Sequence, residues 1–222
     1  MPHWLQLMLD SLGPLLWAGL VFTIPLTLSS FVLGLVTALA RLFGPAPLAA
    51  IFRFYVWIFR GTPLLVQLFV IFYGLPSVGI LLDAFPAALI GFTLNIGAYT
   101  SEIIRAAISS VARGQWEASF SIGMSWGQTM RRTVLPQAAR VAVPPLSNTF
   151  ISLVKDTSLA AAITVPELFQ AAQRIVATTY EPLILYVEAA LIYLALSSVL
   201  SSLQARLETR LNRYGGFMEA RA

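Results

Sequence analysis

Apolar residues run through this chain in long blocks separated by short polar clusters. No Asp, Glu, Lys or Arg occurs within residues 11–40, 61–82, 84–101 or 189–205, and a shorter charge-free stretch covers residues 141–154. The longer blocks approach or exceed the ~18–20 apolar residues with which a helix crosses the hydrocarbon core. In lipid each backbone amide must pair within its own segment, so spans of this kind are helices. The strict alternation of transmembrane β-strands, about 10 residues each, is not visible. The pattern predicts an all-α membrane protein, a single domain over residues 1–222, with spans near 15–40, 48–74, 86–108, 141–154 and 183–203.

Local punctuation supports these limits. Arg41 and the turn-forming Gly44-Pro45-Ala46-Pro47 close the first span. The second contains Arg60-Gly61-Thr62-Pro63, where a proline in mid-span is a place for a break. Residues 1–13 lack a charged leader and a small-residue cleavage site; Trp4, Leu5, Met8 and Leu12 are spaced to lie along a membrane interface, or else form the first turns of span one.

Lys and Arg set the orientation. With the N-terminus outside and the C-terminus cytoplasmic, the inner segments hold Arg41, Arg53, Arg105, Arg113, Arg131, Arg132, Arg140, Arg206, Arg210, Arg213 and Arg221. The outer segments hold Arg174 and Lys155, with Asp10, Asp83, Glu167 and Glu181. The net charge of +4 is therefore a topology signal and not a nucleic-acid footprint. Composition agrees: 58% of residues are hydrophobic and 11% charged, against about 25% charged in a soluble domain. With no cysteine and one histidine, His3, the chain offers neither disulfides nor a His/Cys metal site.

The inner connection, residues 109–140, has its own structure. Residues 114–121 (GQWEASFS) read as a short helix with Trp116 and Phe120 on one face. Gly123 suits a left-handed C-terminal cap, with Met124 to close it. Ser125 is placed as the N-cap of a second short helix through Arg132. Leu135-Pro136 then opens the next span. Such a loop is either a solvated amphipathic segment or a rigid knob for a groove on a soluble partner.

Glu117-Ala118-Ser119, Gly123 and Leu135-Pro136 resemble the EAA motif of ABC importer permeases. Ser119 stands where that motif has alanine, and Thr133 where an aliphatic residue is common. The stretches at 59–69 (FRGTPLLVQLF), 95–108 (NIGAYTSEIIRAAI), 152–161 (SLVKDTSLAA) and 165–169 (VPELF) resemble the polar amino-acid permeases. The run 115–148 is most similar to L-cystine permeases, while histidine, arginine, glutamine, glutamate and opine permeases share most of the motifs. The resemblance implies a type I importer permease with five spans and an outside N-terminus, in the bacterial inner membrane. It implies a dimer of permeases, here a homodimer, a pair of separate ATPase subunits and a periplasmic amino-acid-binding protein. It also implies that Trp116, Glu117, Ala118, Ser119, Gly123, Met124, Leu135 and Pro136 couple to the ATPase.

Ionisable groups at membrane depth are costly and mark function or mutual pairing. Arg60 lies in span two; Asn95, Tyr99 and Glu102 share one face of span three, with Arg105 continuing the stripe. Lys155 and Asp156 adjoin at the end of the fourth span. Two readings stand: the charges neutralise one another and hold the bundle together, or they line a substrate path. In the second, Arg60 and Glu102 would match the carboxylate and ammonium of an amino acid. Residues 157–182 are too broken to span and read as part of an outer gate, with small Ala160, Ala161 and Ala162 allowing close packing.

The chain carries no GxxxxGK[ST] loop to cradle phosphates, and a Ser/His/Asp triad would have to recruit His3. It reads as a transport subunit with neither catalytic site nor cofactor. An ion-driven secondary transporter is disfavoured because no inverted repeat is apparent and five spans do not divide evenly. A membrane scaffold leaves Arg60 and Glu102 without a purpose.

Overall fold

The computed structural model describes residues 3–213, all of whose regular elements are helical. Arg221 and the end of the polar tail lie outside them. In chain order the helices are α1 (His3–Phe43), α2 (Ala46–Gly61), α3 (Leu64–Phe69), α4 (Ala84–Ser109), α5 (Arg113–Ser121), α6 (Trp126–Thr129), α7 (Leu135–Asp156), α8 (Leu168–Thr179) and α9 (Pro182–Arg213). α1, α4 and α9 are each long and apolar enough to cross a membrane. α2 and the segment Leu64–Val78 qualify only together, and the pair is bent by 105°.

The helix that holds the first predicted span begins well before residue 15, because the N-terminal amphipathic segment is continuous with it in α1. The second predicted span is two rods meeting at Thr62-Pro63. The fourth lies inside α7, which starts at Leu135 and holds Pro144 and Pro145. At 22 residues α7 is long enough to cross at ~1.5 Å per residue, but Arg140, Lys155, Asp156 and its polar face keep it below the apolar standard of the other three. The second short helix predicted through Arg132 is α-helical to Thr129 and continues as a π turn, Met130–Val134, into α7.

Two π turns share a cause. Val70–Gly74 and Met130–Val134 are each followed by Leu-Pro, at 75–76 and 135–136. Proline has no amide to donate, so one carbonyl on the turn before it loses its partner. The register slips by one residue, and Leu75 and Leu135 donate to Val70 and Met130, five residues back.

α4 is the axis of the bundle: 61% of its most apolar window is buried, against 29% for α1 and 22% for α9. Lipid solvates apolar side chains as well as protein does, so packing there relies on close fit and polar contacts. α1 meets α4 where a Cβ on Gly34 would lie 2.5 Å from Thr100 Cγ2, and Ser29 and Thr93 hydroxyls pair at 2.6 Å nearby. One apolar cluster joins Phe22, Leu26, Leu68, Phe92, Leu153 and Ile163; a second, at the basic end, joins Ala38, Ile104, Ile108, Met130, Val134 and Ala138. A third seats Leu168 of α8 between Leu15 of α1 and Ile192 of α9.

Candidate functional site: a clamped helix break, an arginine hub and a polar cavity

The break between α2 and α3 is built from sequence upward. In an unbroken helix the Phe59 carbonyl would accept from the amide of residue 63, and Pro63 has none. Thr62, preceding the proline, is pushed extended (φ −125°, ψ 146°). Two side-chain amides replace the lost donors. Gln67 Nε2 donates to Phe59 O (3.0 Å), Thr62 O (3.1 Å) and Thr62 Oγ1 (2.7 Å), while Asn95 Nδ2 donates to Phe59 O and Gln67 Oε1, both at 3.1 Å. Gln67 and Asn95 are both buried. Irregular backbone at membrane depth persists only when its polar groups are served in this way.

Below the break lies a hub of charge. Glu102 Oε1 accepts from Arg41 Nη1, and Oε2 accepts from Arg105 Nη2 (2.9 Å) and Nε (3.3 Å), with Arg60 Nη1 at 3.9 Å. Arg60 also sits over the Tyr99 ring, 5.3 Å from its centroid, a cation–π contact. Three guanidinium groups on one carboxylate leave net positive charge. Arg41 is mostly buried, whereas Arg60 and Arg105 reach solvent.

Above the hub opens a cavity of about 480 Å³ between α4 and α7, roofed by the break. Thr62, Asn95, Tyr99, Asn148, Ser152 and Asp156 supply its polar lining, and Leu64, Ile96 and Leu159 its apolar side. The structure thus brings Asn95, Tyr99 and Asp156 together, and links Arg60 and Glu102 to that group through Tyr99. Lys155 is exposed and outside the lining. Both oxygens of Glu102 are already engaged by arginine, so the carboxylate open to the cavity is Asp156.

At the basic end the loop is an ordered knob. α5 ends in a Schellman motif: Gly123, at φ +79°, donates to Phe120 O (2.9 Å), and Met124 donates to Ser119 O (3.1 Å). Ser125 then caps α6 in a reciprocal capping box with Gln128. Trp116 is partly buried against the basic-end cluster, anchoring α5. Glu117 and Ala118 face outward, as do Phe120, Ile122 (78% exposed) and Trp126, which packs edge-on to Phe43. Leu135 and Pro136 are exposed at the start of α7, and Ser119 is buried. The two departures from the EAA pattern meet each other, with Ser119 Oγ and Thr133 Oγ1 2.9 Å apart.

Four further residues hold these elements together. Gln67 was legible as an amide four residues past a mid-span proline. Arg41 reads in the sequence as a span terminus and an inner charge, and nothing local shows that it reaches α4. Glu188 lies inside the predicted fifth span, yet it is buried with its oxygens 2.7 and 2.8 Å from Ser11 Oγ on α1. Glu167, read as an outer charge, is fully buried and caps α8, accepting from Phe169 N (2.9 Å), Gln170 N (2.6 Å) and Tyr193 Oη (2.9 Å). Burial pushes its carboxyl above the ordinary value of 4.5, against the pull of those three donors.

Apolar helices around a polar cavity, with an ordered knob at the basic end, define the membrane component of a transport system. Residues 30–213 match the binding-protein-dependent transport system inner membrane components, and the chain belongs to that family. It is 54% identical to the L-cystine transport system permease protein TcyB of Bacillus subtilis (strain 168), over 94% of this chain and 92% of that one. It is 47% identical to the probable amino-acid ABC transporter permease protein YckA of the same organism, over 82% and 81%. Among solved structures it resembles one of an amino acid ABC transporter with histidines: TM-score 0.86, 32% identity, covering 95% of this chain and 99% of that one. The fold is that of a type I ABC permease.

Proposed function

We infer that this chain is the permease of an importer that carries a polar amino acid, L-cystine first among candidates, across the bacterial inner membrane, powered by a separate ATPase. The observation that carries the reading is a polar cavity with Asp156 on its wall and the arginine hub beside Tyr99. An amino acid presents an ammonium and a carboxylate, so Asp156 suits the first and Arg60 the second. The similarity to an L-cystine permease at 54% identity supports cystine over other amino acids.

In this reading the N-terminus is outside, as the arginine distribution requires, and α5 lies in the cytoplasm. The five spans are α1, the bent α2–α3 pair, α4, α7 and α9. The exposed Glu117, Phe120 and Ile122 dock on an ATPase subunit, two copies of which serve a homodimer of this chain. A periplasmic binding protein delivers substrate at the opposite end, where residues 157–182 form the gate. ATP binding draws the knobs together and shifts the bundle from inward- to outward-facing, a two-state equilibrium biased from a distance.

ATP hydrolysis by the reconstituted complex, measured across a panel of amino-acid-loaded binding proteins, tests this. Greatest stimulation by L-cystine is expected. Stimulation by another amino acid alone would discard cystine, and a chain that binds no ATPase would discard the class.

A further inference from the structure

Beyond docking, the knob must pass its movement to the helix that walls the cavity, and the chain holds a polar seam at that junction. Ser119 on α5 donates to Gln115 O at 2.9 Å. A hydroxyl has one proton, so at the 2.9 Å Ser119–Thr133 contact Thr133 is the donor and Ser119 the acceptor. Thr133 in turn offers its carbonyl to Gln137 Nε2 (2.9 Å), whose other contact is Gln115 Oε1 (3.3 Å). The four residues close a ring of hydrogen bonds between α5 and the root of α7. Ser119 is buried, which keeps water from competing. From Gln137 the same helix runs on to Ser152 and Asp156 at the cavity.

We propose that Gln115, Ser119, Thr133 and Gln137 form a rigid joint that fixes the coupling helix to α7, so that displacement of the knob reaches the substrate cavity undiminished. The joint braces a weak point of the helix: the π turn Met130–Val134 has lost a regular hydrogen bond to Pro136. Without the ring, α5 would pivot on that turn and dissipate the motion. Ser119 and Thr133 are positioning residues here; neither touches substrate. The inference rests on the reading of the chain as an ATP-driven permease.

The chain has no native cysteine, so a Ser119→Cys/Thr133→Cys pair is a clean probe. In proteoliposomes with the ATPase and binding protein, the joint requires the pair to cross-link readily and the oxidised complex to transport at least as well as its reduced form, which lacks the hydrogen bond. Loss of transport on oxidation, restored by reduction, would show that the two positions separate during the cycle and would overturn the proposal; so would failure to cross-link. Thr133→Val should lower molecules transported per ATP hydrolysed by about fivefold, the equivalent of one hydrogen bond, and Thr133→Ser should restore the ratio. An unchanged ratio in Thr133→Val beside a normal wild type sinks the joint alone. A wild-type complex without ATP-dependent transport sinks the functional reading itself.

Discussion

Replacing Gln67 by leucine keeps most of the side-chain volume and removes the amide that holds the break between α2 and α3. Phe59 O would retain one donor, Asn95 Nδ2 at 3.1 Å. Thr62 O would lose the Gln67 contact, but Thr62 is exposed at the cavity, where water can replace it at a net loss of about 0.5–1.5 kcal/mol. The second Asn95 N–H would lose Gln67 Oε1 at a position only 5% exposed, costing about 1–3 kcal/mol. The sum is about 1.5–4.5 kcal/mol. SDS-driven unfolding of the purified chain in mixed micelles, followed by circular dichroism, measures it. A loss below about 0.5 kcal/mol would refute the view that the break depends on its amide clamp.

Three further outcomes are expected. Glu102→Gln leaves three guanidinium groups facing one another without a counter-charge and should cost a few kcal/mol, less than a fully buried pair because Arg60 and Arg105 are partly solvated; adding Arg41→Gln should recover part of the folded yield in membranes. Gly34→Val sets side-chain atoms against Thr100, where even a Cβ would lie 2.5 Å from Cγ2, so α1 must withdraw from α4 and the melting temperature in detergent should fall, with Gly34→Ala intermediate. Glu167 has a raised carboxyl, so the folded state holds its proton more tightly than the unfolded one; the stability linked to it is complete below 4.5 and is lost as pH rises through the folded value, a slope that Glu167→Gln should remove from melting curves across acid pH.

How far the sequence reveals this molecule depends on the range of each interaction. The α5–Gly123–Ser125 unit is legible because caps are written within six residues: a left-handed glycine and a serine three before a glutamine suffice. The Asn95, Tyr99, Glu102 stripe is legible from helical periodicity. The break was marked by Pro63, but its 105° angle depends on what packs around it, and that information lies on α4. Arg41 reaching Glu102, Ser11 reaching Glu188 and Tyr193 reaching Glu167 join positions far apart in sequence, and no local pattern specifies such meetings. The same limit explains Glu102: its spacing put it on the cavity side, whereas its partners from α1 and its own last turns occupy it. The Ser119–Thr133 contact sits between these cases, since both positions stood out from the EAA pattern and only the fold shows that they complement each other.

The most direct test of the account is uptake of labelled L-cystine into proteoliposomes holding this chain with its ATPase, with the binding protein supplied on the side opposite the ATPase. An ATP-driven permease gives accumulation that requires both ATP and the binding protein and is lost on Glu117→Lys at the exposed face of the knob. Uptake driven by an ion gradient without ATP, or ATP-driven uptake that Glu117→Lys leaves intact, would contradict it.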